Sequence, residues 1–144
     1  MPANKVVVHY KDGRILKGTT ADFLPKRPVF HLLVGGIHSK DVKEVFVEEL
    51  KAIFFVKDFI GDKESNEIKG FGDHPRSGKR VKVMFNDGEL IFGYTHVLNF
   101  DQPGFFLIPV DPNSNNERVF VLFSSLTELE VNGSPIDLKS IRRS

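Results

Sequence analysis

A two-residue period of apolar side chains occurs in two short segments, residues 6–10 (VVVHY) and residues 81–85 (VKVMF). In both segments every second residue is apolar, which is typical of a β-strand with one buried face. Each segment is followed by Asp-Gly, at 12–13 and at 87–88, and then at once by a second apolar segment. Asp-Gly in this setting predicts a β-hairpin with a type I′ turn, which requires positive φ at both central residues.

The two hairpins belong to an internal repeat. Residues 5–33 align with residues 80–108 without a gap, and nine of the 29 aligned pairs are identical. The similarity continues more loosely, since Val-Phe-Val at 45–47 recurs at 119–121. A repeat at a fixed offset is the sequence signature of a duplicated structural unit.

Each repeat predicts five strands. Gly18 and Gly93 lie inside the second strand, where a glycine permits a bulge or a sharp bend. The later elements form matching pairs: third strands at 29–34 and 105–110, fourth strands at 42–47 and 118–123, short turns at 48–50 and 124–126, and fifth strands at 52–56 and 127–131.

This pattern predicts an all-β protein made of two tandem five-stranded small barrels of the SH3-like or Sm-like type. We assign residues 1–62 to the first barrel and residues 80–144 to the second barrel with a C-terminal tail. Residues 63–79 are polar and rich in glycine and are predicted to be a linker. The tail carries Ile136, Leu138 and Ile141 and is expected to add a short segment.

Composition narrows the function classes. The chain has 14 phenylalanines, no cysteine and a formal net charge of +1. The absence of cysteine excludes disulfides, thiolate zinc sites and cysteine nucleophiles. The charge balance lacks the basic excess usual in proteins that neutralise phosphates. No apolar segment has the length of a signal peptide or a membrane span, so we expect a cytoplasmic protein with no membrane association.

The segment Asp111–Arg118 (DPNSNNER) is the most unusual polar stretch. Its Asp-x-Asn-x-Asn spacing resembles the start of a calcium loop, but Asn116 stands where that loop needs glycine and Leu122 where it needs a bidentate acid. We therefore predict no metal site and a long turn held by Asx hydrogen bonds. A ligand or partner contact is the alternative, and its candidate residues are Asp111, Asn113, Asn115, Asn116 and Arg118.

Two local basic clusters are the candidates for nucleic-acid contact. They comprise Lys26, Arg27, Arg76, Lys79 and Arg80, and they lie near Phe23, Phe71 and Phe100 in sequence. Basic residues interleaved with aromatic rings can hold single-stranded nucleic acid. Solvated loops with phenylalanines that face the core give the same pattern, and we favour that interpretation.

The sequence contains no recognisable catalytic set. No Gly-x-Ser-x-Gly motif is present, and the pair Gly35-Gly36 does not form a phosphate-binding loop. The five histidines have no zinc-site spacing, and we expect His9 and His31 at the surface or its boundary. We therefore predict a protein that is not an enzyme and needs no cofactor.

The first hairpin, residues 6–18 (VVVHYKDGRILKG), resembles the first half of the Sm and Sm-like RNA-binding motif. That resemblance implies a barrel that contacts uridine-rich RNA through an aspartate and a Met-Asn pair on the third strand. The corresponding segment here, residues 23–33, has neither feature. In the second repeat, Asp101 is present, but Met-Asn is again missing.

Over nearly its whole length the chain is similar to an uncharacterised family of bacterial proteins, common in environmental and deltaproteobacterial genomes. The segments that carry this similarity are residues 6–20, 50–62 and 104–121. The resemblance implies no particular activity. Some relatives are encoded beside PilZ-type receptors for cyclic di-GMP, but the PilZ motif of paired arginines followed by D/N-x-S-x-x-G is absent here.

These observations favour a binding or adaptor protein that recognises a protein partner or a small ligand in bacterial signalling. Two barrels joined through their open edges would leave a groove between similar halves, and the same edges allow a homodimer. The alternative is RNA binding through an Sm-like barrel.

Overall fold

The computed structural model describes residues 3–35, 41–59, 78–111 and 114–141, and the regular secondary structure of this part of the chain is almost entirely β-strand. Most of the predicted linker, at 63–77, lies outside the described residues. The strands are β1 (Asn4–Tyr10), β2 (Ile15–Thr20), β3 (Val29–Val34), β4 (Asp41–Phe46), β5 (Leu50–Val56), β6 (Lys79–Phe85), β7 (Leu90–Thr95), β8 (Gly104–Pro109), β9 (Asn116–Leu122), β10 (Leu126–Val131) and β11 (Ser134–Pro135). Short 3-10 turns at Val47–Glu49 and Phe123–Ser125 precede β5 and β10, as the sequence predicts, and a single helical turn, α1 (Leu138–Ile141), follows β11.

The described strands form one antiparallel sheet, in the order β11-β10-β6-β7-β8-β9-β5-β1-β2-β3-β4. The first half contributes the order β5-β1-β2-β3-β4, and the second half contributes the corresponding order β10-β6-β7-β8-β9. The halves join where β5 pairs with β9, from Ala52 opposite Val121 to Val56 opposite Asn116. The hydrogen-bond ladder is therefore continuous between the halves and is not closed, whereas the sequence predicts two tandem barrels.

The Asp-Gly hairpins form as predicted, but the predicted type I′ turn is wrong. Gly13 has φ of 97°, whereas Asp12 keeps a negative φ. The N–H of Gly13 donates to the carbonyl of Tyr10, and the N–H of Tyr10 donates to the carbonyl of Arg14. This is a three-residue loop that ends in a left-handed glycine. The carboxylate of Asp12 accepts a hydrogen bond from the N–H of Arg14 at 3.0 Å, which stabilises this turn.

The hairpin at Asp87-Gly88 repeats this geometry, with a φ of 91° at Gly88 only. A pair of consecutive positive φ angles occurs instead at Asn132 and Gly133, which connect β10 to β11. Asn-Gly is the strongest sequence signal for such a turn. The sequence therefore contains the signal for this third hairpin, although we predict only a short additional segment there.

The interior consists of two hydrophobic clusters on opposite faces of β5. Ala52, Phe54 and Val56 pack with residues of the second half, whereas Ile53 and Phe55 pack with residues of the first half. Strand β9 is divided in the same way, since Phe120 and Leu122 belong to the first-half cluster. Strands that are buried on both faces read as continuous apolar runs rather than alternating ones. This explains the sequences of residues 52–56 (AIFFV) and 119–123 (VFVLF).

Gly18 and Gly93 allow two strands to approach each other closely. A Cβ atom built on Gly18 would lie 2.5 Å from the carbonyl oxygen of Leu33 in β3. At Gly93 it would collide with the carbonyl oxygen of Ile108 and the side chain of Leu107 in β8. Both glycines are thus required by the contact between the second and third strands of each half.

The C-terminal segment packs against the second half. Leu138 of α1 is buried, and Ile136 and Ile141 lie against the same hydrophobic cluster. The apolar residues of the tail therefore extend the core. Among the described residues, no helix is long and apolar enough to cross a membrane.

Candidate functional site

Strand β4 forms one end of the sheet, and no described strand pairs with its outer edge. Its register with β3 places Val29 opposite Phe46 and His31 opposite Glu44. Next to this ladder, the N–H of Val47 donates to the carbonyl of Pro28 at 2.9 Å. Hydrogen-bonded and non-hydrogen-bonded pairs alternate along an antiparallel ladder. Positions 41, 43 and 45 therefore bond to β3, and the N–H and C=O groups of positions 42, 44 and 46 point toward the open edge.

The side chains of β4 are unusually exposed for a strand of this sheet. Only Val45 is buried, in the first-half cluster. Val42 and Phe46 share the opposite face and are 55% and 42% exposed. Glu44 lies between them on the same face, because alternate residues of a strand point to the same side. The edge therefore presents open backbone groups beside an apolar-acidic-apolar row of side chains.

The other end of the sheet is covered by the chain itself. Beyond the Asn132-Gly133 turn, β11 pairs with β10 through Pro135 opposite Glu130 and Ser134 opposite Val131. The N–H of Ile136 extends this pairing, donating to the carbonyl of Leu129 at 2.8 Å. Exposed strand edges are sites at which other chains add. The two ends of the sheet thus differ: β11 pairs with the outer edge of β10, whereas no strand of the described residues pairs with the outer edge of β4.

A polar cluster crosses the junction between the halves. Lys51 of β5 places Nζ 2.7 Å from Asp87 and 2.5 Å from Glu89, both on the β6–β7 hairpin. Its side chain is only 12% exposed. Burial by itself lowers the pKa of Lys51, but the hydrogen bonds that Lys51 donates to the two carboxylates outweigh burial and raise that pKa. The hydrogen bond from Lys51 in turn lowers the pKa of Asp87.

His9 lies close to this cluster and is half-buried, so it is a boundary residue as predicted. Its ring packs on Phe54 with centroids 4.6 Å apart. Burial, and then the positive charge of Lys51, lowers the pKa of His9. His31 is exposed and binds Asp22 through its ring nitrogen, 2.7 Å away. Both histidines therefore have structural partners.

The charged groups of the Lys51 cluster are paired with one another. The hydrogen bonds to the carboxylates of Asp87 and Glu89 raise the pKa of Lys51 and so favour its protonated amine. Among the described residues, no group of three or more potential metal ligands comes together. The cluster functions as an ion-paired contact between the halves.

Four of the five predicted contact residues of the Asn-rich loop lie in the part of the chain that the structure describes. The fifth, Asn113, lies outside the described residues. The side chain of Asn115 brackets the backbone of Asp58, accepting from its N–H at 3.0 Å and donating to its carbonyl at 2.9 Å. The carbonyl of Asp111 accepts from Ser114, and the N–H of Asn116 donates to the hydroxyl of the same serine. The loop is thus bound to the segment that follows β5.

The guanidinium of Arg118 lies over two aromatic rings, 4.4 Å from the centre of Phe55 and 4.7 Å from that of Phe106. Phe23 contacts both of these rings edge-on from the β2–β3 connection. Arginine over aromatic faces is a favourable cation–π arrangement. Arg118 therefore closes the end of the first-half cluster where β5 meets β9.

Four of the five predicted basic residues are described, and they lie in two exposed segments. Lys26 and Arg27 are exposed in the connection between β2 and β3, and Lys79 and Arg80 are exposed at the start of β6. Arg76, with Phe71, lies outside the described residues. Of the nearby aromatic residues, Phe23 packs against the first-half cluster. The ring centroid of Phe100 lies 5.5 Å from that of Phe123. These two rings pack against other phenylalanines.

The most distinctive features found here are strand β4 and the cluster around Lys51, and neither is among the residues singled out from the sequence. Residues 41–46 (DVKEVF) are less apolar than their counterpart in β9, which is the only local signal for an open edge. Lys51 and Asp87 are separated by 36 positions in sequence and belong to different halves of the chain, so no spacing rule connects them.

Comparison with known proteins places the chain in a family. Residues 2–133 match the model of a family of unknown function, DUF6982. No curated protein and no solved structure matches the chain. The chain therefore belongs to the DUF6982 family, as the similarity to an uncharacterised family indicates.

Proposed function

We propose that this protein is a non-enzymatic binding or adaptor module of the bacterial cytoplasm, and that it contacts protein partners by strand addition to β4. The observation that carries this proposal is the open edge, where backbone groups of Val42, Glu44 and Phe46 face outward beside exposed apolar side chains. In β-strand addition, main-chain hydrogen bonds supply affinity and alternate side chains supply specificity.

We further propose that the two halves are duplicated five-stranded units of the SH3-like or Sm-like type. The aligned segments carry strands with the same order, β5-β1-β2-β3-β4 and β10-β6-β7-β8-β9. Both halves also have a 3-10 turn before the fifth strand and a left-handed glycine in the first hairpin. In this proposal the pairing of β5 with β9 takes the place of closure within each unit.

Satisfied polar groups support a role in binding rather than catalysis. Lys51 is paired with carboxylates, and Ser125 donates its hydroxyl to backbone carbonyls. Among the described residues, no buried side-chain polar atom lacks a hydrogen-bond partner. Catalytic sites usually contain convergent groups with strongly altered protonation.

The proposal is tested by removing one outward-facing backbone donor. Glu44→Pro deletes an N–H that points to the open edge, whereas the bonds to β3 come from neighbouring positions. Glu44→Ala is the matched control, because it removes the same side chain and keeps the N–H. Tagged wild type and both variants, checked for equal melting temperatures, are used to capture proteins from the native host.

We expect partners that are retained by wild type and by Glu44→Ala and are lost with Glu44→Pro. Partners retained equally by all three proteins would overturn the assignment of β4. A thermal-shift panel of cyclic dinucleotides, nucleotides and divalent metals tests small-ligand sensing in parallel. A ligand that binds only the folded state adds about 2.7 kcal/mol of stability at a hundredfold excess over Kd.

RNA binding is the second candidate function. Its support is the exposure of Lys26, Arg27, Lys79 and Arg80. Binding through phosphates weakens steeply with salt, so fluorescence anisotropy with a uridine-rich oligomer at two ionic strengths tests it directly. Replacement of these four residues by glutamine should abolish such binding, and no binding at low salt would end this candidate.

A further inference from the structure

We propose that the occupant of the β4 edge is a second copy of this chain, paired β4 to β4 across a twofold axis centred on Glu44. This inference rests on the proposed function, because it names the partner of the same edge. It follows from three features: the way in which the two halves already pair, the covering of β10, and the self-complementarity of β4.

The pairing of β9 with β5 shows how the strand that corresponds to β4 is covered within the chain. Strand β9 is the counterpart of β4 in the second half, and its outer edge is bonded to β5 over Ala52–Val56. By the same correspondence β10 is the counterpart of β5, since Val131 pairs with Val81 as Phe55 pairs with Val6. A head-to-tail assembly would therefore join β4 of one copy to β10 of the next.

That head-to-tail contact is blocked. Strand β11 and Ile136 already occupy the edge of β10 at positions 129–131, which correspond to positions 53–55 of β5. Heterologous contacts build rings or filaments, whereas an isologous contact uses one surface twice and closes as a dimer. Because the edge of β10 is already paired, β4 of one chain pairs with β4 of the second chain.

A twofold axis restricts how the two strands can align. The axis stands perpendicular to the sheet, so each face of one copy continues into the same face of the other. Positions 42, 44 and 46 carry the outward-facing backbone groups and must therefore pair with these same positions in the second copy. This leaves registers centred on residues of β4 itself.

The register centred on Glu44 pairs all three positions that have outward-facing backbone groups. It opposes Val42 to Phe46 of the second copy twice, and both side chains are exposed in the single chain. Three pairs with outward-facing groups give about six backbone hydrogen bonds. A register centred on Lys43 instead opposes two lysines and places Val42 against Glu44, and one centred on Val42 aligns only positions 41–43 within β4.

The cost of the favoured register is a pair of glutamates directly opposite each other. Like charges at such positions destabilise a strand pair by a few tenths of a kcal/mol up to about 1 kcal/mol. The dimer therefore has a built-in weakness that a single neutral substitution removes. Glu44→Gln should lower the dimer Kd by up to about fivefold, which is that repulsion expressed as a ratio.

Single cysteines test the register, because the chain has none of its own. In the favoured register the two copies of position 44 face each other at about 5.5 Å between Cα atoms, a distance that suits a disulfide. The two copies of position 42 lie about 13 Å apart, four residues along the strands. Full-length Glu44→Cys should form a disulfide-linked dimer under mild oxidation, whereas Val42→Cys and Phe46→Cys should stay monomeric on a non-reducing gel.

Sedimentation velocity over a range of concentrations provides the second measurement. Wild type should show a monomer–dimer equilibrium, Glu44→Gln should shift it toward dimer, and Glu44→Pro should shift it to monomer. Preferential cross-linking of Val42→Cys, or a dimer that persists in Glu44→Pro, would overturn the proposed contact.

The two proposals fail separately. A wild type that is monomeric at every concentration and does not cross-link through Glu44→Cys would disprove the second-copy partner. If capture from the host nevertheless depends on the N–H of position 44, the edge binds a strand of a different protein and the proposed function stands. If neither dimerisation nor capture depends on that N–H, both proposals are wrong.

Discussion

Phe54 and Phe55 are neighbours in β5 but belong to different hydrophobic clusters. Phe54 packs with the second-half cluster, and Phe55 packs with the first-half cluster together with Phe120 of β9. Consecutive side chains of a strand point to opposite faces, so one strand forms a wall of both interiors. Each half therefore completes its core with residues of the other.

This shared wall predicts that the two halves unfold together. Phe120 comes from the second half but is fully buried in the first-half cluster. Phe120→Ala should lower the free energy of unfolding by about 3–5 kcal/mol, the usual cost of deleting a buried aromatic ring. Val97→Ala is the control, because Val97 is 73% exposed and should change stability by less than about 0.5 kcal/mol.

The two tyrosines report the halves separately in urea titrations, since the chain has no tryptophan. Tyr10 belongs to the first-half cluster, and Tyr94 is buried in β7 of the second half. Fluorescence of Tyr94→Phe and Tyr10→Phe versions should show coincident transitions that shift together with Phe120→Ala. Two separate midpoints, with only one moved by the substitution, would contradict the shared core.

The Lys51 cluster predicts a modest stabilisation that depends on pH. Asp87 and Glu89 are largely exposed, so Lys51→Met should cost only about 1 kcal/mol or less in ion pairing. The pKa of Lys51 is raised above 10.5, so this stabilisation is present below pH 10.5 and is lost as the pH rises through the raised value. Urea unfolding of wild type and Lys51→Met from pH 7 to pH 11 measures the difference.

The stabilisation that Asp87 contributes to the same cluster has the opposite pH dependence. The pKa of Asp87 is lowered below 3.8, so its contribution is full above pH 3.8 and is lost as the pH falls through the lowered value. Urea unfolding of the same two proteins below pH 3.8 measures this loss. An advantage of wild type over Lys51→Met that is the same below pH 3.8, at pH 7 and at pH 11 would show that the ion pairs do not stabilise the fold.

His9 should make the fold sensitive to mild acid. Burial and Lys51 lower its pKa below 6.5, so the folded protein favours neutral imidazole. Stability is then full above pH 6.5 and declines below it, because the unfolded chain takes up the proton more readily. An NMR titration should find the His9 midpoint below 6.5, and Lys51→Met should raise that midpoint. A midpoint at or above 6.5 in wild type would refute this explanation.

Gly18 should not tolerate a side chain. In Gly18→Ala the new methyl group meets the backbone carbonyl of Leu33 and the side chain of Leu32, so β2 and β3 must separate. We expect a loss of about 1–3 kcal/mol, as for other overpacked sites. Lys17→Ala is the control, since Lys17 is exposed on the same strand. Equal melting temperatures for the two variants would show that the strands are not in close contact.

Local features of the sequence predict the individual elements well. Period-2 alternation identifies β1 and β6, and the matching segments of the repeat identify the later strands and the 3-10 turns. The turn type is predicted wrongly at Asp12-Gly13, because the aspartate carboxylate stabilises a negative-φ turn through the N–H of Arg14. The Asp-Gly signal correctly predicts the positive φ of Gly13, but it does not take this hydrogen bond into account.

The candidate site could not be predicted in the same way. Whether β4 is an open edge depends on which strands pair elsewhere, and its own residues contain only a weak signal. The Lys51 cluster likewise joins residues that meet only after the halves associate.

The sequence by itself determines the strands and the faces that alternate, because these depend on neighbouring residues and on the two-residue period of a strand. Only the tertiary structure decides that β5 pairs with β9, that the tail covers β10 and that no strand in the described part of the chain covers β4. The apolar run at 52–56 can be buried on both faces only if strands from the other half supply the second interior. That requirement is met by long-range packing, which the local pattern of residues does not specify.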